Sequence, residues 1–290
     1  MFSIFELLPP PPPRIHIVDV GAMDLPEVTN AYEPLVRSGC AFVTGFEPTQ
    51  SECDRLNAKA GSGRTYLPCA VGEGDTRTLR VCAFAACTSL YEPNTALLKY
   101  FNNLELLTQV VDRIQVRTVA LDDLEQVRHI DYLKLDVQGA EVDVLRGARR
   151  VLEEILVVQA EVEFIPLYQD QPLFGDIDAL LRAHGFLFHK FSGWMGRAFQ
   201  PVVVNNDPNQ MLSQLLWADA VYVKSFLDFE RLAPASLLKL AIILHEVYAS
   251  YDLCLLALRH YDAQTGTSLA PAYLERLIGA GPTAVPRTRI

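Results

Sequence analysis

Basic clusters are what this chain lacks most plainly: Lys and Arg number 25 against 35 Asp and Glu, a formal net charge of -10. Phosphate backbones are bound by grouped Lys and Arg, so nucleic acid is not an expected partner. The six cysteines, Cys40, Cys53, Cys69, Cys82, Cys87 and Cys254, include no CxxC pair and lack the spacing of a secreted disulfide framework. They read as reduced thiols, and a cytoplasmic location is expected. The six histidines form neither an H-x-x-x-H pair nor a zinc-like set with the cysteines, so no zinc site is expected. Long uncharged apolar runs are also missing. The most apolar late stretch, residues 237–258, contains Lys239, His245, Glu246 and Asp252, which a bilayer core disfavours, so no transmembrane segment is expected. The first eight residues have no basic n-region and no small-residue cleavage site, and do not read as a signal peptide.

With half of its 290 residues hydrophobic, the chain can bury one full-sized core and a modest appendage. Five consecutive prolines at 9–13 favour a polyproline II stem that holds the first eight residues off the fold. From Arg14 onward, β-branched runs alternate with helix-like stretches, the pattern of an α/β fold. Strands are expected near 15–20, 42–47, 66–71, 132–137, 155–164, 186–191 and 220–224, with an inserted edge pair at 79–83 and 114–119. Val142, Leu145, Ala148, Val151 and Leu152 recur at helical spacing, which predicts a crossover helix over 140–154. Leu237, Leu240, Ala241, Leu244, Tyr248, Tyr251, Leu255 and Leu258 give one long helix an apolar stripe. That stripe must be covered, either by the chain's own sheet domain or by the same helix of a second subunit in a homodimer. The expected organisation is a stem over 1–13, a sheet domain over 14–225 and a helical extension over 226–290, with a frayed tail from Gly279.

The chemistry is expected at strand ends, because ligands of doubly wound sheets bind outside the carboxyl ends of the strands. The first strand ends in Asp19-Val20-Gly21-Ala22, where a glycine lets a ligand approach the backbone; an ordinary turn would look the same. The second ends in Gly45-Phe46-Glu47-Pro48, whose carboxylate can accept both hydroxyls of a ribose or be a solvated strand-end charge. A full G-x-G-x-x-G is missing, which makes a pyrophosphate-bearing dinucleotide the poorer ligand. Lys134, Asp136 and Gln138 place three polar groups on one side of the fourth strand, a costly burial unless a ligand or each other satisfies them.

The segment Asp131-Tyr132-Leu133-Lys134-Leu135-Asp136-Val137-Gln138-Gly139-Ala140-Glu141, followed by Val144-Leu145-Arg146-Gly147-Ala148, resembles the signature of FkbM-type methyltransferases. Val18-Asp19-Val20-Gly21-Ala22, Phe46-Glu47-Pro48, Cys69-Ala70-Val71-Gly72 and Leu121-Asp122-Asp123-Leu124 are similar to other motifs of that family. The resemblance implies a Rossmann-like, doubly wound, mostly parallel sheet of the S-adenosylmethionine-dependent type, with S-adenosyl-L-methionine as cofactor. It also implies that Asp19, Gly21 and Ala22 line the methionine side, that Glu47 with Pro48 holds the ribose, and that Ala70 and Val71 flank the adenine. Asp136 would lie near the cofactor's amino group and the incoming nucleophile. Met23 and Leu25 depart from the family's usual Asn and Gly.

Methyl transfer to an alcohol needs a group that takes the hydroxyl proton. The candidates are Asp136, Glu161, Glu163 and His189, the two glutamates falling on one strand face at a spacing of two. Ion pairing at the sheet end is the alternative for the glutamates, and a structural role is the alternative for His189. No ligand cluster demands a metal. Loops carrying Ser89, Tyr91, Phe164, Tyr168, Phe191 and Trp194 are placed to meet the acceptor, or else pack the rim. The expected activity is O-methylation of a small-molecule or glycan acceptor: a glycan, a lipid-linked sugar or a secondary metabolite. An N-methyltransferase, or a non-catalytic binding module that keeps the fold, remains open at this stage.

Overall fold

Short aliphatic runs become strands where turn residues bound them. The computed structural model describes residues 2–23 and 29–279; Leu25 and residues 280–290 of the expected tail lie outside the described residues. The strands are β1 (Ile15–Val20), β2 (Ala41–Glu47), β3 (Arg64–Pro68), β4 (Ala70–Val71), β5 (Thr76–Cys82), β6 (Val110–Val119), β7 (Tyr132–Leu135), β8 (Val157–Glu163), β9 (Phe186–Gly196) and β10 (Leu215–Lys224). Seven of them form one sheet in the order β3-β2-β1-β7-β8-β10-β9. Pairing is parallel for β2 with β3, β1 with β7 and β7 with β8, and β10 runs antiparallel to both β8 and β9. This is the Rossmann-like, mostly parallel arrangement. In a separate small sheet β6 pairs parallel with β4 and antiparallel with β5, so the two expected edge strands do meet.

The expected strand over 66–71 is divided. β3 stays beside β2, with the ladder reaching as far as the Cys69 amide on the Glu47 carbonyl, and β4 then turns away to β6. The expected crossover helix is shortened to Glu141–Arg146, followed by a 3-10 turn at Val151–Glu153. It stops at Gly147, where a Cβ would lie 2.1 Å from the Gly72 carbonyl oxygen, so a second backbone occupies the space a side chain would need. Val142, Leu145, Ala148, Ile177 and Leu181 from this layer pack on Val18, Val20, Leu133, Leu135, Val158 and Ala160 of the strands. That core holds the strand ends in register.

The chain divides into two compact units, the first made of residues 2–16, 29–42 and 225–279, the second of residues 17–23 and 43–224. In the first, the predicted single helix over 237–258 is two helices, Pro234–Glu246 and Tyr251–Thr265, followed by Leu269–Gly279. Ala249, with φ +49°, reverses the backbone between them. The expectation that residues 1–8 stand off the fold is corrected here. Ile4 is fully buried, and Ser3 Oγ and the Ile4 amide both donate to Glu246 Oε1, at 2.6 and 2.8 Å. His245 Nε2 donates to the Phe2 carbonyl (3.0 Å), and the Phe2 ring packs on His245 and Tyr273. Apolar side chains at Phe2 and Ile4 gain more from this groove than a stiff proline run can deny them. Among the described residues no helix is long and apolar enough to cross a membrane.

Candidate active site

Three strand ends converge in the second unit. The Gly21 and Ala22 amides both donate to the Phe46 carbonyl at 3.0 Å, and the Asp136 amide donates to the Val20 carbonyl at 3.1 Å. Gly21 has φ +84°, and a Cβ there would sit 1.9 Å from the Asp136 carbonyl oxygen. Only glycine lets the ends of β1 and β7 press together in this way. Ala22 is buried at this junction. Glu47 ends β2, almost fully buried, with Oε1 accepting from the Thr49 amide at 2.8 Å. Burial pushes its carboxyl above the usual range, against the lowering effect of that amide. Pro48 follows it, half-buried; Ala70 is half-buried on β4, and Val71 points into the core.

Lys134 lies opposite Asp19 in the β1–β7 register and reaches Asp19 Oδ1 at 3.1 Å and Asp136 Oδ2 at 3.6 Å. Burial alone would depress this ammonium, but the carboxylates of Asp19 and Asp136 outweigh it and hold the pKa above its ordinary value. The lysine thus compensates the deeply buried carboxylate of Asp19.

Gln138 ties the acids at the ends of β7 and β8 together. It sits at φ +54°, a strained conformation for a non-glycine residue, and several partners over-determine it. Ser89 Oγ donates to its carbonyl (2.6 Å), and the Tyr168 hydroxyl donates to its Oε1 (3.0 Å). Its Nε2 donates to Glu161 Oε2 (2.5 Å) and Asp136 Oδ1 (3.2 Å). Asp136 and Glu161 are therefore brought together by one side-chain amide.

Burial pushes the Glu161 carboxyl well up, and the neighbouring charges of Asp136, Glu163, Glu141 and Asp219 push it the same way. Glu163 is raised likewise by burial and then by Glu141 and Asp136, and its Oε2 has no hydrogen-bond partner among the described residues. A buried oxygen without a donor favours the protonated acid. Asp219, which the sequence reading did not single out, lies opposite Glu161 in the β8–β10 register, its carboxyl raised by burial and by Asp136. The signal for it was an acid at an alternate position of an otherwise apolar strand, Trp217-Ala218-Asp219-Ala220-Val221.

His189 is not brought to this cluster. It lies on the edge strand β9, between the pairs Tyr222–Phe188 and Val221–Lys190, which correspond on β8 to Val158 and Gln159 rather than to Glu161 and Glu163. A cleft of about 430 Å³ opens between Glu92, Thr95, Leu106 and Arg113, and none of the strand-end carboxylates lines it. Among the described residues no group of three His, Cys, Asp or Glu is arranged to hold a metal ion.

A family model, the methyltransferase FkbM domain, matches residues 19–188, more than half of the 290. The chain belongs to the FkbM methyltransferase family. Its methyl donor is S-adenosyl-L-methionine, the cofactor of that family. No curated protein matches the sequence significantly. Among solved structures, it is similar to magnesium protoporphyrin IX methyltransferase from Synechocystis at 12% identity, covering 73% of this chain and 71% of that one, with a TM-score of 0.39. An S-adenosylmethionine-dependent methyltransferase from Mesorhizobium loti is also similar, at 12% identity, 76% and 95% coverage and a TM-score of 0.37.

In this FkbM methyltransferase the signature acid Glu141 has a structural task. Its Oε1 accepts from the Val137 amide at 2.8 Å, closing the turn that carries Gln138. Burial raises its pKa to about 7, against the lowering effect of the Val137 amide. A folded-state pKa above the unfolded value contributes stability that is fully present below about pH 4.5 and lost as pH rises through about 7. Glu141→Gln keeps the acceptor oxygen and removes the titration. Melting temperatures measured from pH 4.5 to 8 should therefore fall less steeply in the variant than in the wild type, and identical slopes would refute the assignment.

Proposed function

We propose that this chain methylates a hydroxyl oxygen of a small-molecule or glycan acceptor, such as a glycan, a lipid-linked sugar or a secondary metabolite. The observation that supports this reading is the acidic character of the strand ends: Asp19, Glu47, Asp136 and Asp219 lie there, with one buried lysine already engaged by Asp19 and Asp136. Such a set suits a cationic, hydroxyl-bearing cofactor and repels a pyrophosphate, so S-adenosylmethionine fits where a dinucleotide does not. Bound there, the cofactor supplies a methyl group on a sulfonium sulfur.

The chain's own residues bind and orient around it. Glu47, backed by Pro48, accepts the ribose hydroxyls; Asp19, Gly21 and Ala22 line the methionine side; Ala70 and Val71 flank the base. Asp136, whose side chain is 38% exposed, is more open than Asp19 or the buried Glu163, and its oxygen takes the proton of the acceptor hydroxyl as the new carbon–oxygen bond forms. Burial and the neighbouring acids favour the neutral forms of Glu161 and Glu163, so the pocket accumulates less repelling charge around the acceptor. His189 is assigned no catalytic role.

The test is ligand-dependent stabilisation. S-adenosylmethionine and S-adenosylhomocysteine should raise the melting temperature and NAD should not, since only a ligand of the native state stabilises it. Calorimetry with S-adenosylhomocysteine should show Glu47→Ala weakening affinity by about 1–3 kcal/mol, the scale of charge-assisted hydrogen bonds. Unchanged affinity would remove Glu47 from the ribose site.

A further inference from the structure

Contacts lead outward from Gln138 to an apolar surface that the methyl-transfer chemistry does not use. Tyr168, which donates to Gln138 Oε1, belongs to a satellite cluster with Leu98, Phe101, Leu104, Leu167 and Leu216. The Phe101 ring lies 4.7 Å from that of Phe199. The Gln200 amide donates to the Tyr100 carbonyl (2.8 Å), and Asn102 Nδ2 donates to the Val202 carbonyl (2.6 Å), pinning the stretch after β9 onto this cluster. The Ala198 amide donates to the Gln210 carbonyl (3.1 Å) and folds the stretch back on itself. Exposed apolar side chains gather along it and beside Phe101: Leu212 is 64% exposed and Tyr100 58%, with Phe199, Val202 and Val203 each near half.

Single exposed apolar residues need no explanation, but a concentration of large ones beside a site marks a binding surface. We propose that this rim holds the apolar part of an amphipathic acceptor whose hydroxyl reaches Asp136. The proposal rests on the methyl-transfer reading and adds the acceptor's class. Contacts support the continuity, since Tyr168 joins Gln138 to the cluster that holds Phe101, whose ring packs on that of Phe199. Charge argues for an individual acceptor over a bilayer. Within residues 194–214 the charged side chains are Arg197, which is buried, and Asp207, on a chain of net charge -10, whereas anionic membranes attract clustered cations.

Of the chain's two tryptophans, Trp217 packs against this cluster and reports on the region. Full-length protein with S-adenosylhomocysteine is titrated with n-dodecyl maltoside below its critical micelle concentration, and in parallel with maltose. The expected result is a saturable blue shift of tryptophan emission with the dodecyl compound and none with maltose. The variant Val203→Ser/Leu212→Ser, altered only at exposed positions, should weaken that binding at least tenfold while keeping the S-adenosylhomocysteine thermal shift. A response equal for the two sugars, no saturable response, or unchanged binding by the variant overturns the rim as an acceptor surface. Comparable binding to phosphatidylcholine vesicles overturns it in favour of a membrane surface. Loss of the thermal shift in the wild type would instead count against the cofactor reading, so the two failures are distinguishable.

Discussion

Gly21→Ala should lower the unfolding free energy by at least about 3 kcal/mol, because it combines a left-handed backbone strain of about 1–3 kcal/mol with the displacement of a neighbouring strand end. The added Cβ would sit 1.9 Å from the Asp136 carbonyl oxygen, and backbone cannot give way as the tip of a flexible side chain can. Gly39 supplies the control: it too has positive φ, +75°, but nothing lies within 4 Å of its Cβ position. Gly39→Ala should therefore cost only about 1 kcal/mol, the conformational part alone. Urea denaturation of both variants gives the comparison. Equal losses would mean that the tight approach of β1 to β7 is not what requires glycine at position 21.

Asp136→Asn should cut methyl transfer about 100-fold or more, the scale of losing a positioned proton acceptor, with little change in melting temperature. Asparagine keeps an oxygen that can accept from Gln138 Nε2, and Lys134 keeps its shorter contact to Asp19, so the local network survives. Glu161 and Glu163 are poorly suited to replace it, because burial and the neighbouring acids disfavour their charged forms. Transfer of label from tritiated S-adenosylmethionine into an acceptor-bearing small-molecule extract measures the activity. A variant that unfolds while its residual native fraction turns over at the wild-type rate would give Asp136 a folding role instead.

The legible part of the site lay where local pattern and tertiary position coincide. Asp19, Glu47 and Asp136 each end an apolar run, and a strand that ends in a turn residue must deliver that residue to the edge of the sheet. The spacing of Glu161 and Glu163 placed both on one face because strand side chains alternate with period two. Period alone did not say which strands would be neighbours. The pattern therefore left His189 among the candidates beside the acids, although the strand order puts it on the sheet edge, away from the carboxylates.

Helix lengths were over-read for a related reason. The apolar repeats over 140–154 and 237–258 continue through the breaks, yet a crossing backbone at Gly72 ends the first helix and a left-handed residue at Ala249 ends the second. Periodicity records which face is buried and is insensitive to a turn that preserves the face.

The sequence by itself determined the α/β class, the strand ends that bear Asp19, Glu47 and Asp136, and the FkbM motifs, because each is written in contiguous residues. Tertiary structure decided what depends on contacts distant along the chain. Pairing of β10 with β8 brought Asp219 to Glu161, and the groove at Glu246 captured Ser3 and Ile4 from beyond the proline run. Tyr168 and Ser89 locked Gln138 into a conformation its own residue type disfavours. The physical reason is the same throughout: local propensities amount to tenths of a kcal/mol per residue, whereas burial and satisfied polar groups contribute several at a time and are set by whichever segments the fold makes neighbours.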